Sequence, residues 1–197
     1  MTYPYQNFYE MITANAQNQP KKTIVFVDDE KISNLEFLQK VDSFARFLVH
    51  SGMKKEDKIA LIMPNSAEFL IAFFAISKIG GIIVPVNNML KREEYIYILN
   101  DAEARMLISS AKFAEQTKDL QATTGLEKTV WIDSIPDAAG DQALFSEAIA
   151  IPPFHDEQKA DNAIDDLAVL IYTSGTTGHP KGAMLSYKNI FSNLHGG

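Results

Sequence analysis

Apolar runs of strand length alternate with segments of helical period along most of this 197-residue chain. Such alternation is typical of parallel strands that are buried on both faces and connected through helices. It predicts the α/β class, with a largely parallel sheet and helices on both faces. Strands are predicted at Thr23–Val27, Lys58–Met63, Ile82–Val86, Arg105–Ser109, Lys128–Asp133 and Leu167–Tyr172, and helices at Ser66–Ile79, Arg92–Asn100 and Ala111–Ala122.

Two further helices are predicted near the start of the chain. The first places Phe8 and Ile12 on one face and stops before Pro20. The second begins at Ser33-Asn-Leu-Glu36, which has the spacing of a capping box. In that arrangement the serine hydroxyl and the glutamate carboxylate each satisfy a backbone amide at the helix start. An apolar stripe follows, and Gly52 ends it.

The stretch Phe69–Val86 is apolar and would be long enough to cross a bilayer if it were one helix. Lys78 interrupts it, Gly80-Gly81 offers a helix stop, and the β-branched residues that follow are closed by Pro85. We interpret the stretch as a buried helix followed by a buried strand. No transmembrane segment is therefore predicted, and peripheral contact with a membrane stays open.

Between the last two predicted strands the composition shifts to Asp, Ala, Pro and Gln, with Pro136, Pro152 and Pro153 interrupting it. We interpret residues 134–166 as a surface excursion. The acidic pair Asp165-Asp166 at its end is expected to solvate the approach to the next strand, whereas Trp131 is expected in the core.

Composition narrows the classes of partner and compartment. The formal net charge is -7, from 18 basic and 25 acidic residues, and the basic residues form no stripe that would neutralise a phosphate backbone. Nucleic acid is therefore not an expected partner. The chain has no cysteine, and its first residues lack the basic and then apolar run of a signal peptide. A cytoplasmic protein is expected, and its oligomeric state is left open.

The stretch YTSGTTGHPKG, Tyr172–Gly182, gathers hydroxyl side chains and glycines around a single lysine. Glycines at 175, 178 and 182 permit positive φ, so that successive amides can point into one concavity that binds anions. The hydroxyls add donors, and the ammonium of Lys181 adds a positive charge. The loop is therefore predicted to bind a polyphosphate.

Two alternatives to this interpretation fit the residues less well. A flexible linker would not be flanked by apolar runs, nor stiffened by Pro180. The Walker loop of phosphate-hydrolysing NTPases needs glycine immediately before the lysine and a hydroxyl immediately after it. Here Pro180 precedes Lys181 and Gly182 follows it. Apolar residues then come before the helix cap at Ser186, which predicts that the loop joins two strands.

The stretch Tyr172–Gly182 resembles the phosphate-binding signature of the adenylate-forming superfamily. This superfamily contains acyl-CoA synthetases, luciferase-like enzymes and the adenylation domains of peptide synthetases. Two other stretches are similar to that superfamily in order and context. Ser33–Phe37 resembles its Thr-Tyr-x-Glu-Leu helix start, and Ser77–Asn87 resembles its Leu-Lys-Ala-Gly-x-x-x-Val-Pro-x-Asn stretch. The resemblance spans nearly the whole chain and is strongest to bacterial long-chain fatty-acid CoA ligases.

The resemblance implies the fold of the N-terminal portion of an adenylate-forming enzyme. It also implies a reaction in which a carboxylic acid and ATP give an acyl-adenylate and pyrophosphate, after which the thiol of coenzyme A attacks. Mg²⁺ would bridge phosphate oxygens, and either Thr176 or Thr177 would lie nearest the metal. The implied contacts to the β- and γ-phosphates of ATP are Thr173, Ser174, Gly175, Thr176, Thr177, Gly178 and Lys181.

The sequence departs from the family pattern at two positions and lacks the family's later motifs. Asn34 stands where the family has an aromatic residue and Ile79 where it has a small one, and both are expected to be packing positions. The family's later motifs, for adenine, ribose, the metal-binding glutamate, the hinge and the C-terminal lysine, have no counterpart before Gly197. Residues 1–197 are therefore expected to be an N-terminal subdomain that ends just after the phosphate-binding loop, and to be inactive alone.

The expected activity of the complete protein is that of a medium- or long-chain fatty-acid CoA ligase whose partners are small molecules. No catalytic residue is assigned within these 197 residues. Two alternatives stay open. One is another adenylate-forming enzyme, acting on an aryl acid or an amino acid. The other is a phosphate-binding module of the same fold that catalyses no ligation.

Overall fold

The computed structural model describes residues 4–27, 30–137, 139–152, 160–173 and 180–195. For His195 it describes the backbone alone. The strands are β1 (Thr23–Val27), β2 (Glu30–Ser33), β3 (Lys58–Ile62), β4 (Ile82–Pro85), β5 (Ala104–Ser109), β6 (Lys128–Trp131), β7 (Gln142–Leu144), β8 (Leu167–Thr173) and β9 (Lys181–Ser186). The helices are α1 (Phe8–Asn18), α2 (Asn34–His50), α3 (Ala67–Lys78), α4 (Arg92–Asp101), α5 (Ala114–Thr117), α6 (Phe145–Ala150) and α7 (Tyr187–His195).

The main sheet has seven strands in the order β7-β6-β5-β3-β4-β8-β9. Every neighbouring pair is parallel except β8 and β9, which are antiparallel. This confirms the predicted α/β class and the largely parallel sheet. A separate antiparallel pair joins β1 to β2, of which β2 was not predicted from the sequence pattern.

Helices cover both faces of the main sheet, as predicted. Successive residues of a strand point to opposite faces, so each strand contributes to two cores. In β3, Ile59 and Leu61 belong to the larger core, and Ala60 and Ile62 belong to the smaller one. Helices α1, α2, α3, α6 and α7 contribute to the larger core, and α4 covers the other face.

The predicted capping box at the start of α2 is present. The amide of Glu36 donates to Ser33 Oγ at 3.3 Å, and the amide of Ser33 donates to Glu36 Oε2 at 2.9 Å. These hydrogen bonds lower the pKa of Glu36, the backbone bond at Ser33 most of all. The two departures from the family pattern are packing positions, as expected. Asn34 is buried and donates to the carbonyl of Gln19, and Ile79 is buried in the larger core.

The predicted helix over Ala111–Ala122 is wrong in extent. The segment forms a 3₁₀ turn at Ala111–Phe113, the single α-turn of α5, and a second 3₁₀ turn at Leu120–Ala122. A hydroxyl group within the segment bonds locally to a backbone carbonyl, since Thr117 Oγ1 donates to Phe113 O at 2.8 Å. Such bonds compete with a continuous helix, and the segment lacks the long apolar stripe that would offset them.

Residues 134–166 are not only a surface excursion. They contain β7, which extends the main sheet beside β6, and α6. Phe145 is buried there, with its ring centroid 4.3 Å from that of Phe44 on α2. Trp131 is fully buried, as expected, and its indole Nε1 donates to Gln142 Oε1 at 2.7 Å.

The apolar stretch Phe69–Val86 is divided between α3 and β4, as predicted. Gly80 lies between them with φ +72°, a left-handed conformation that glycine adopts without strain. None of the described helices is long and apolar enough to cross a membrane.

We expect Gly80→Ala to lower the free energy of unfolding by about 2 kcal/mol, because an L-residue is strained at this φ and crowded by its neighbours. A Cβ at this position would lie 2.6 Å from Asn162 Oδ1 and 2.9 Å from Lys55 Cγ. Gly125→Ala is the matched control, since its Cβ would meet nothing within 4 Å. Urea denaturation checks both variants, and a Gly80→Ala protein as stable as the control would contradict the prediction.

Candidate functional site

A cavity lies where three parallel strands of the main sheet end. Strands β3, β4 and β8 are neighbours, so their carboxyl ends meet at one edge. In open α/β sheets, ligands bind outside this edge. The cavity has a volume of about 500 Å³, which lies within the range of small-molecule sites. Its walls come from residues 63–65, Phe69, residues 85–88 and the end of β8 at 171–172.

The lining of this cavity combines apolar side chains with amides. Phe69 and Ile171 supply apolar surface, and Asn65, Asn87 and Asn88 supply amide groups. The amides are partly ordered by the backbone: Asn88 Nδ2 donates to Met63 O at 3.5 Å, and Asn87 Oδ1 accepts from the amide of Met89 at 3.0 Å. The cavity was not predicted from the sequence. The sequence signal that could have indicated it is an asparagine shortly after each of two buried strands, Asn65 after β3 and Asn87 after β4.

Next to the cavity, β8 and β9 form a hairpin whose ends bracket the predicted phosphate-binding loop. Thr173 faces Lys181, and Tyr172 faces Gly182, in the antiparallel register. Helix α7 begins only at Tyr187, after the whole of β9, and the amide of Asn189 donates to Ser186 Oγ at 3.2 Å. The prediction that the loop joins two strands is therefore confirmed, and so is the helix cap at Ser186.

Thr173 and Lys181 are the two predicted phosphate contacts that the structure describes. Directly opposed residues of an antiparallel pair project to the same face, as do residues two apart on one strand. Thr173, Lys181 and the cavity-lining Ile171 therefore share one face of the sheet. Both Thr173 and Lys181 are exposed, and no ion pair to Lys181 is found among the described residues.

The remaining predicted contacts, Ser174, Gly175, Thr176, Thr177 and Gly178, lie outside the described residues, and their roles stay predictions. The same holds for the choice between Thr176 and Thr177 as the residue nearest Mg²⁺. Within the described ranges, no group of three or more His, Asp or Glu side chains is placed to hold a metal ion.

Gly182 does not use the positive φ that glycine permits. Its φ is not positive, unlike those of Gly52 and Gly80. The constraint is space: a Cβ on Gly182 would lie 3.0 Å from Leu170 Cδ1 and 3.2 Å from Tyr172 Cζ. The tyrosine ring thus packs against the backbone of the facing glycine, an arrangement that stabilises glycine in a sheet. Sequence alone gives no register, so this cross-strand contact was not predicted.

The ring of Tyr172 is fixed at its other end by Asp101. Tyr172 Oη donates to Asp101 Oδ2 at 2.6 Å, across 71 positions of sequence. Partial burial, and next the hydrogen bond to this carboxylate, raise the pKa of Tyr172 above its ordinary value. Asp101 is the last residue of α4, so the hairpin is connected to a helix on the other face of the sheet.

The acidic pair before β8 also forms surface ion pairs, which were not predicted from the sequence. Asp166 Oδ2 lies 2.8 Å from Lys55 Nζ, and Asp165 Oδ1 lies 3.0 Å from Lys188 Nζ. The hydrogen bond from Lys55 is the largest influence on Asp166 and lowers its pKa. These contacts connect the entrance of β8 to the segment before β3 and to α7.

A largely parallel sheet, a cavity at its carboxyl edge and a lysine-bearing hairpin beside that cavity define an α/β domain with a candidate ligand site. The chain belongs to the AMP-binding enzyme family, whose sequence profile matches residues 12–197.

Three known proteins illustrate the relationship. Gramicidin S synthase 2 of Brevibacillus brevis is 32% identical over 193 residues, which is 98% of this chain and 4% of that protein. The anthranilate CoA ligase AuaEII, solved in complex with anthranoyl-AMP, superposes with a TM-score of 0.84 at 29% identity, covering 95% of this chain and 36% of that one. A long-chain-fatty-acid-CoA ligase of Archaeoglobus fulgidus superposes with a TM-score of 0.83 at 26% identity, covering 99% and 39%.

The present chain thus spans well under half the length of these relatives. The superpositions confirm the predicted fold, that of the N-terminal part of adenylate-forming enzymes.

Proposed function

We propose that the protein carrying this chain is an ATP-dependent acid:CoA ligase that activates a medium- or long-chain fatty acid. The observation that carries the proposal is the pairing of Thr173 with Lys181 at the end of the β8–β9 hairpin, beside the carboxyl-edge cavity. Membership of the AMP-binding enzyme family supports ATP as the nucleotide. We further propose that residues 1–197 form an N-terminal subdomain that is inactive without the other parts of the protein.

The described residues fit a polyphosphate ligand. Lys181 is an exposed cation without a described ion-pair partner, and the hydroxyl of Thr173 stands on the same face. An ammonium and a hydroxyl together offer charge and hydrogen-bond donation to phosphate oxygens. The glycines and hydroxyls of residues 174–178 complete the proposed contacts to the β- and γ-phosphates.

The proposed reaction has two steps. A carboxylate oxygen attacks the α-phosphorus of ATP, the bond to pyrophosphate breaks, and an acyl-adenylate forms. The thiol of coenzyme A then attacks the acyl carbonyl, and AMP leaves. Negative charge grows on the departing pyrophosphate in the first step, where Lys181 and Thr173 would stabilise it. Bound Mg²⁺ supplies additional neutralisation of phosphate charge.

The substrate class is the finer part of the proposal. The sequence resemblance of the chain favours a fatty acid, and the structural likeness to a long-chain-fatty-acid-CoA ligase supports it. The anthranilate CoA ligase, at higher identity, favours an aryl acid as the second candidate. An amino acid remains a third, in view of the similarity to gramicidin S synthase 2. Small molecules are the proposed partners in each case.

ATP–pyrophosphate exchange with acetate, octanoate, palmitate, an aryl acid and a set of amino acids distinguishes these classes. We expect octanoate or palmitate to give the fastest exchange, and no exchange without an acid or without Mg²⁺. Exchange with an amino acid alone, or with the aryl acid alone, would reject the fatty-acid assignment. Absence of exchange with every acid would leave a phosphate-binding module that catalyses no ligation.

A further inference from the structure

The two residues that bracket the phosphate-binding loop are in contact with each other. Tyr172 immediately precedes Thr173, Gly182 immediately follows Lys181, and the two are partners across the hairpin. The tyrosine ring packs closely against Gly182, since a Cβ there would lie 3.2 Å from Tyr172 Cζ, a tight contact. This ring therefore contacts the backbone directly beside Lys181 and belongs to the residue directly before Thr173.

Asp101 holds the ring in that position from outside the hairpin. Its Oδ2 accepts the hydrogen bond of Tyr172 Oη at 2.6 Å. The helix that carries Asp101 is firmly anchored, because Tyr95, Ile98 and Leu99 of α4 are buried in the smaller core. A carboxylate on a rigid element is suited to fix a side chain on a strand end.

The placement of Asp101 is unfavourable for the helix itself. It is the last residue of α4, where the macrodipole is negative and a carboxylate is disfavoured. No basic residue in the last turn of α4 offsets this charge. The carboxylate therefore does not stabilise α4, and its described contact is the hydrogen bond to Tyr172.

We propose that Asp101 is a positioning residue that acts through Tyr172 and Gly182 to hold Thr173 and Lys181 in place for phosphate binding. We call Asp101, Tyr172 and Gly182 the hairpin clamp. The inference rests on the proposed function for its ligand, and it adds a residue of α4 that does not itself touch the phosphates. Loss of the clamp displaces the two contacts without removing either of them.

Asp101→Ala is expected to raise the KM for ATP and lower kcat in pyrophosphate exchange, together by about tenfold or more, because small misplacement of binding groups slows catalysis strongly. Tyr172→Phe keeps the ring and removes the hydroxyl, so its KM and kcat should change as much as those of Asp101→Ala. The double variant should be no worse than either single one, since both remove the same hydrogen bond. Asp101→Asn retains an acceptor oxygen and should restore most of the activity.

Glu103→Ala is the matched control, because it removes a carboxylate two positions further along. Glu103 is largely exposed and pairs with Lys58 at 3.4 Å, away from the hairpin. Its exchange kinetics should equal those of the parent protein. Amide deuterium uptake in peptides covering residues 167–186, measured without ligand, should increase in Asp101→Ala and Tyr172→Phe but not in Glu103→Ala.

The outcomes separate this inference from the proposed function. If the parent protein shows no exchange with any acid, the ligase proposal fails. The clamp is then judged by deuterium uptake together with calorimetric affinity for MgATP and magnesium pyrophosphate. Faster deuterium uptake and weaker ligand binding in Asp101→Ala and Tyr172→Phe than in the parent protein support the clamp. Absence of any binding of either ligand by the parent protein overturns it. Unchanged KM, kcat and affinity in Asp101→Ala overturn it too, even if the melting temperature falls, because Asp101 is then merely structural.

Discussion

Lys181→Ala is expected to slow acyl-adenylate formation by about 100-fold or more in the protein that carries this chain, equivalent to at least about 2.7 kcal/mol of lost transition-state stabilisation. The reason is electrostatic: Lys181 is the cation of the segment Tyr172–Gly182 and lies at its end, paired with Thr173 through the backbone. Steady-state pyrophosphate exchange at saturating acid and ATP measures the effect.

Folding should be nearly unaffected by the same substitution. The Lys181 side chain is exposed and has no ion-pair partner among the described residues, so its removal leaves no buried group unpaired. Lys188→Ala is a suitable control, since Lys188 is a nearby exposed lysine that pairs with Asp165 on the surface. Unchanged turnover of Lys181→Ala, with intact melting behaviour, would remove Lys181 from its proposed role.

Features that depend on local signals could be predicted from the sequence. The capping box of Ser33 and Glu36 needs only residues three positions apart, and the helix stop at Gly80 needs only one. The strands β3 to β6 are buried along most of their length because both of their faces are covered, and the apolar runs that result are easy to recognise. The parallel sheet follows from their alternation with helices.

Features that depend on tertiary contacts could not be predicted in the same way. Helix α6 has only six residues, and its burial depends on Phe145 reaching Phe44 of α2. In that case a contact between distant residues overrides local preference. The segment after β5 contains good helix formers, yet Thr117 Oγ1 donates to Phe113 O and the segment lacks an apolar stripe that a long helix would bury, so a continuous helix does not form.

The candidate site shows the same division. The hydroxyls, glycines and lysine of the loop are contiguous and could be recognised directly from the sequence. The hairpin clamp could not be recognised in this way, because Asp101 and Tyr172 are 71 positions apart in the sequence. The limited space for a side chain at Gly182 also arises only from the register of β8 and β9. Likewise, the cavity is assembled from the ends of three strands that become neighbours only in the folded sheet.

Lys78→Met is expected to lower the free energy of unfolding by about 3 kcal/mol, because it breaks a buried ion pair by removing one partner. Only 2% of the Lys78 side chain is exposed, and its Nζ lies 2.8 Å from Asp42 Oδ1. Tyr9 completes the group: its hydroxyl donates to the same carboxylate oxygen at 2.9 Å, and its ring centroid is 4.7 Å from the ammonium. The three residues connect α1, α2 and α3 around one charge pair.

Lys58→Met is the control, because the Lys58 side chain is 29% exposed, compared with 2% for Lys78, and its partner Glu103, at 3.4 Å, is 82% exposed. Its effect should stay within about 0.5 kcal/mol, as is usual for surface ion pairs. Adding Asp42→Leu to Lys78→Met should recover part of the loss, since the double variant leaves no buried carboxylate without its cation. Urea denaturation measures all three proteins. A Lys78→Met protein as stable as Lys58→Met would show that Tyr9 and water alone satisfy Asp42, and that the ion pair contributes little to the packing of the three helices.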